Sequence, residues 1–234
     1  MKHAEDYGVD PDRIIISGDS FGGLLAASVC QMIAQRDDVP KLCSQMLIYP
    51  FLQVVKYSLP SYMQNAYAPP LTRRQAVKFA LQYMQIDRGF EDLFLEGLLI
   101  PSDMKMKYRK LLSADNIPEE FKVRETKARK YTAPFADMQE LIDHLYGPLL
   151  SPLLVEDAII RQLPQTFILT GQYDVLRDDG ILYKKRLEDN DVPVSWHHFE
   201  DGFHGSLFYI NHWIANFSCC EEGMDSIVNY IRGL

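Results

Sequence analysis

The sequence predicts an α/β fold: a parallel sheet with flanking helices, interrupted by an inserted helical cap. Three observations carry this reading. Arg13 to Ala26 reads R-I-I-I-S-G-D-S-F-G-G-L-L-A, a short β-branched run, a turn bracketed by glycines and a helix-forming stretch in direct succession. Short apolar runs recur at Met46–Tyr49, Gln165–Thr170 and Val192–Phe199, giving the order strand, helix, strand, cap, strand, helix, strand, helix. Between the second and third runs the character changes, with Pro60, Pro69, Pro70, Pro101 and Pro118 separating short amphipathic pieces. These features divide the chain into core at residues 1–50, cap at about 51–161 and core again at 162–234.

Element by element, Met1 to Tyr7 reads as the tail of a helix, stopped by Gly8 and Pro11. Ile14–Ile16 is the strand, all apolar and so expected to be buried on both faces. Leu24 to Gln35 carries apolar residues around most of its circumference, as a helix packed on a sheet would. In the cap, Thr72-Arg-Arg-Gln75 is a capping box, with Ala76, Phe79, Ala80, Tyr83 and Met84 on one face behind it; the aromatic and aliphatic residues of the cap are expected to form its own core or else an apolar substrate pocket. Phe94 to Ile100 is strongly apolar, and Ser102 to Leu112 reads as a basic, exposed helix. A helix follows over Asp178–Asn190 with acidic residues in its first turn, and the last runs from about Cys220 to Ile231.

Composition limits what such a fold can do. At 234 residues and 47 % hydrophobic the chain can bury a sizeable core. A net charge of -8, with no long Lys/Arg block, excludes nucleic acid as a partner. Cys30, Cys43, Cys219 and Cys220 form no C-x-x-C or zinc spacing, and neither H-E-x-x-H nor a phosphate-cradling glycine loop occurs, so neither metal nor cofactor is expected. The N-terminus M-K-H-A-E-D lacks the apolar core of a signal peptide, and no stretch reaches the ~18 apolar residues of a membrane span. Asn216-Phe217-Ser218 is a glycosylation sequon, relevant only in the secretory pathway.

The chemistry centres on Gly18-Asp19-Ser20-Phe21-Gly22, which matches G-x-S-x-G between a strand and a helix. Such a turn strains the serine and brings the chain close to itself, so Gly18 and Gly22 are expected to be required for space, and Gly23 to let the helix approach the strand. It exposes Ser20 Oγ, and it puts the Phe21 N–H at the positive end of the following helix, facing a developing oxyanion. Groups outside the carboxyl ends of parallel strands gather at one edge of the sheet. Asp174, in G-Q-Y-D, and His204, in D-G-F-H-G, also follow predicted strand ends, in the order nucleophile, acid, histidine. Asp178 and Asp179 rival Asp174 but sit where helix-start acids belong; His197 and His198, adjacent in a strand, point to opposite faces and read as structural. His3, His144 and His212 have no partner that the sequence places.

The stretches Y-G-V-D-P-D-R-I-I-I-S-G-D-S-F-G-G, L-L-S-P-L-L, T-G-Q-Y-D-V-L-R-D-D-G and H-H-F-E-D-G-F-H-G together resemble the arylacetamide deacetylase-like group of the hormone-sensitive lipase branch of α/β-hydrolases. The resemblance covers only the C-terminal part of that group, so the expected architecture is a truncated α/β-hydrolase fold. It implies that Ser20, Asp174 and His204 form a triad hydrolysing an ester or amide of an apolar acyl group. It also implies membrane association at the endoplasmic reticulum, on the membrane or in the lumen, although this chain shows neither signal nor anchor. Many relatives have alanine where Phe21 stands, and they carry an H-G-G-type oxyanion loop upstream; no H-G-G occurs here. Missing oxyanion donors are expected to cost about 10²- to 10³-fold in rate. The elbow strand is expected to have an unpaired edge open to another chain. The alternative expectation is a catalytically inactive form or pseudoenzyme serving as an interaction module.

Overall fold

The computed structural model describes residues 4–98, 101–122, 143–210 and 217–234. Four parallel strands form one sheet in sequence order: β1 (Ile15–Asp19), β2 (Ser44–Ile48), β3 (Gln165–Tyr173) and β4 (Val194–Phe203). With no reversal of order, right-handed crossovers all carry the chain over the same face. That face is covered by α1 (Phe21–Ala34), by the segment between β2 and β3, and by α7 (Arg177–Glu188), which share one core with Leu47 and Ile168. The opposite face is covered by α8 (Ser218–Arg232), whose Cys219, Cys220 and Ile227 pack on Met46, Phe167 and Leu169. Residues one apart along β2 and β3 thus serve different cores, as the two-residue period of a strand requires.

The segment after β2 contains α2 (Pro60–Gln64), α3 (Arg73–Tyr83), α4 (Glu91–Leu95), α5 (Ser102–Lys107) and α6 (Asp157–Ile160). Its buried side chains, among them Leu52, Tyr57, Tyr62, Val77, Leu81 and Leu153, join the same core as Leu24 and Leu182. The capping box forms: Gln75 N–H donates to Thr72 Oγ1 at 3.2 Å, and Thr72 N–H to Gln75 Oε1 at 2.9 Å.

Several expectations are corrected. Among the described residues β1 pairs only with β2, so Ile15 and Ile16 are half-buried, not buried on both faces, and Ser17 is exposed. α1 leaves Leu25, Val29 and Met32 exposed, although the helix has no charged residue. On α3, Val77 and Leu81 take core positions, while Phe79 and Tyr83 are 57 % and 51 % exposed; Phe79 lines a cavity described below. The helix expected to reach Leu112 stops at Lys107, the last helix begins at Ser218, and β4 continues to Phe203. Before β1, a 3-10 turn at Glu5–Tyr7 ends in Gly8 at φ 64°. His3, His212, Ile100 and the sequon residue Asn216 lie outside the described residues.

Asp178 and Asp179, expected to serve the helix dipole, are instead wholly buried and fasten the cap segment to α7. Asp179 Oδ2 accepts from Leu52 N–H at 3.0 Å and Tyr62 O–H at 3.1 Å, and its Oδ1 from Gln53 Nε2 at 3.0 Å. Asp178 Oδ2 accepts from Ser61 N–H at 2.7 Å, and its Oδ1 pairs with Arg177 at 3.0 Å. Burial pushes the Asp179 carboxyl up to about 7, against the pull of its three donors. In the unfolded chain the same group titrates near ~3.9. Between these values the folded chain holds the proton and the unfolded chain does not, so this group's contribution to stability is complete below the lower value. It is lost as pH rises through the upper one, at no more than ~1.4 kcal/mol per pH unit. Asp179→Asn has no group to titrate there, so in denaturant titrations the wild type should lose stability relative to the variant as pH rises through that window and keep a constant offset above it. A difference independent of pH would show that Asp179 stays ionised in the fold.

Candidate active site

β1 runs into α1 with only Ser20 between them, at φ 54° and ψ −120°, a conformation that L-residues rarely adopt. It is held from both sides: Ser20 N–H donates to Ile48 O at 2.9 Å, and Ser20 O accepts from Phe51 N–H at 3.0 Å and Gly23 N–H at 3.1 Å. The turn is possible because Gly18 has no side chain; a Cβ there would stand 2.0 Å from the Gly22 carbonyl oxygen. A Cβ on Gly23 would stand 2.7 Å from Pro50 Cβ. On Gly22 it would meet only Asp19 Oδ1, at 3.8 Å, an ordinary contact. The steric demand thus falls on Gly18 and Gly23, and Gly22 contributes its carbonyl, which faces Gly18.

Asp174 follows β3 and His204 follows β4 directly. The two strand ends converge because Gly171 and Gly202 lie back to back: a Cβ on Gly171 would be 2.7 Å from the Gly202 carbonyl carbon. The register shifts between Gly171 and Tyr173 at the same place. In consequence Ser20 Oγ lies 2.8 Å from His204 Nε2, and His204 Nδ1 lies 2.9 Å from Asp174 Oδ2. A carboxylate only accepts, so Nδ1 carries the proton and Nε2 is left to accept from the Ser20 hydroxyl. Asp174 is buried, and Leu176 N–H fixes its second oxygen at 2.8 Å. The Phe21 N–H heads α1, among the first-turn groups that have no acceptor inside the helix.

Two supporting residues carried no sequence signal. Tyr49, at φ 34°, sets its ring edge-on to the His204 imidazole with centroids 5.1 Å apart. Asn65 Nδ2 donates to the backbone oxygens of Gln172 and Asp174, both at 3.0 Å, tying the end of α2 to the acid loop. The remaining histidines of β4 are engaged elsewhere. His197 stacks on Phe167; His198 bonds Thr170 Oγ1 at 3.0 Å, and burial pushes it down to about 4.

A cavity of about 360 Å³ opens over Ser20 and His204. Its other walls are apolar, with Phe51, Leu71 and Phe79 from the cap segment, Leu176 from the acid side and Phe208 beyond the histidine. Phe79 faces this space, which explains why an aromatic residue on α3 is left out of the core. Donors for an oxyanion, a polarised hydroxyl and an apolar chamber therefore meet at one point.

The family described as alpha/beta hydrolase fold matches residues 1–111 and 98–208. Arylacetamide deacetylase-like 4 of Homo sapiens is 40 % identical over 235 residues, covering 100 % of this chain and 58 % of that protein. Arylacetamide deacetylase of Oryctolagus cuniculus is 42 % identical over 209 residues, covering 88 % of this chain and 52 % of that one. The chain thus spans somewhat over half the length of these curated relatives. Among solved structures, a bacterial heroin esterase superposes with a TM-score of 0.63 at 24 % identity, over 100 % of this chain and 55 % of its own, a likeness of fold.

Proposed function

The chain belongs to the alpha/beta hydrolase family, and from that premise we propose that it is a serine hydrolase of the carboxylesterase or deacetylase type, acting on small esters or amides of apolar acyl groups. The hydrogen-bonded series Ser20–His204–Asp174, at 2.8 and 2.9 Å, carries the reading. Ser20 Oγ attacks the carbonyl carbon as its proton passes to His204 Nε2, and the negative charge on the carbonyl oxygen faces the Phe21 N–H. Collapse breaks the ester or amide bond, and the leaving group takes the proton from His204. Water then repeats the sequence on the acyl-serine, releasing the acid and restoring Ser20. Asp174 holds the tautomer and stabilises the transient imidazolium. The Phe21 N–H, at the head of α1, is one oxyanion donor that the described residues offer. The family resemblance supports a site of action at the endoplasmic reticulum; no helix among the described residues is long and apolar enough to cross a membrane.

The test is hydrolysis of short p-nitrophenyl esters together with labelling by a small fluorophosphonate. The folded chain should turn over the ester and take up the label at Ser20, and Ser20→Ala should do neither. Equal turnover in both, or a folded chain without label, would remove the catalytic reading. A second reading, an interaction module without catalysis, is favoured by the outer edge of β1, which has no partner strand among the described residues. Ile14 O and Ser20 N–H bond toward β2, so by alternation Ser17 presents its N–H and C=O outward, and the following helix exposes Leu25, Val29 and Met32. That reading requires an unlabelled chain that associates in sedimentation and is dispersed by Ser17→Pro.

A further inference from the structure

We infer that the Phe21 ring is the end wall of the acyl chamber and sets the length of acyl chain the site accepts; this deepens the hydrolase reading and rests on it. Phe21 immediately follows the nucleophile, so any side chain there projects into the space over Ser20. Its ring lines the cavity and packs against Tyr83 of α3, with centroids 4.5 Å apart, and against Phe51 at 5.9 Å. α3 forms one long side of the chamber. Ala76 and Phe79 line it, whereas Tyr83, one turn beyond Phe79, does not, because the Phe21 ring stands between Tyr83 and the cavity. Tyr83 is half-exposed, so the far side of the Phe21 ring is covered by a surface side chain and not by core.

Removing the ring adds its volume to the chamber and brings Tyr83 into the wall. The floor along α3 then extends from Phe79 to Tyr83, about one helical turn or ~5.4 Å. With Phe21 in place a short acyl chain fills the chamber and a longer one must bend out of it. Without the ring the short chain loses a contact surface and the long one gains a straight path. A ring that merely fastened α3 to the elbow would act differently, since its loss would weaken chains of every length alike.

Binding in a Ser20→Ala background separates these without depending on turnover. Titration calorimetry of p-nitrophenyl butyrate, octanoate and decanoate should show the decanoate-to-butyrate affinity ratio rising at least about 10-fold when Phe21→Ala is added, with Phe21→Leu between the two. Tyr83→Ala alone should leave the ratio nearly unchanged, since Phe21 screens it, and should raise it further only together with Phe21→Ala. Phe21→Leu, which keeps most of the packing, carries the test if the alanine variant does not fold. A ratio that stays constant in Phe21→Leu and Phe21→Ala, or a chain that binds none of the three esters, would overturn the proposal. Fluorophosphonate labelling of Ser20 in the otherwise unaltered chain would still uphold the hydrolase reading in either case, so the two failures are distinguishable.

Discussion

Asp174→Asn should lower kcat by about 10⁴-fold while leaving KM and the unfolding midpoint close to those of the wild type. The size of the loss follows from which way the new amide must face. Leu176 N–H points at Asp174 Oδ1 from 2.8 Å, so the asparagine keeps its carbonyl oxygen there as acceptor. Its NH₂ group then faces His204 Nδ1, where the carboxylate oxygen had been at 2.9 Å. An NH₂ only donates, so Nδ1 becomes an acceptor and the imidazole proton moves to Nε2. There it faces the Ser20 hydroxyl, which it can no longer deprotonate. Structure is retained because every buried polar group still has a partner. Steady-state kinetics on a p-nitrophenyl ester, with circular dichroism melts on the same samples, would check both halves. A loss below about 10-fold would mean that another group orients His204. Asp178 and Asp179 are poor substitutes, since their oxygens are taken by Ser61, Arg177, Leu52, Gln53 and Tyr62.

The same geometry shows what a sequence makes legible. The strands, their parallel order and the meeting of Ser20, Asp174 and His204 could be read because each leaves a local trace: a short apolar run, a glycine turn, a polar residue just past a strand end. Strand environment left no such trace. Ile14–Ile16 looks the same whether its two faces are covered or open; the unpaired edge is expected from the part of the resembled group that the chain covers and not from the strand's own residues. The α1 stripe Leu25, Val29, Met32 was hidden for the same reason, since a helix without charges reads as buried all round. On α3 periodicity identifies a helix and its apolar face but does not separate core positions such as Ala80 from a cavity position such as Phe79. Asp178 and Asp179 are sufficiently explained locally by the dipole, while all their donors but Arg177 lie more than a hundred residues away. Tyr49 and Asn65 act through ring packing and backbone carbonyls, which place no constraint on neighbouring residues that a motif could record.

Gly18→Ala should abolish both hydrolysis and labelling of Ser20, with a loss of stability of about 3 kcal/mol or more. The added Cβ would stand 2.0 Å from the Gly22 carbonyl oxygen, 2.2 Å from its carbon and 2.8 Å from Gly23 N. All three are backbone atoms, so no rotamer change can relieve the contact. Moving α1 outward as a body would pull Ser20 from Ile48 O and from Phe51 N–H, the two bonds that hold the serine in its strained conformation. Moving it along its axis would drive Gly23 against Pro50, where a Cβ already has no room. Gly22→Ala is the control, because its Cβ would meet only Asp19 Oδ1 at 3.8 Å. Its cost should stay within about 1 kcal/mol, offset by the higher helix propensity of alanine, and label should still reach Ser20. The two glycines are four residues apart in one motif, and a motif alone gives them equal weight. Close approach of backbone to backbone at Gly18 makes them unequal, so parallel behaviour of the two alanine variants would show that the elbow is not built as described.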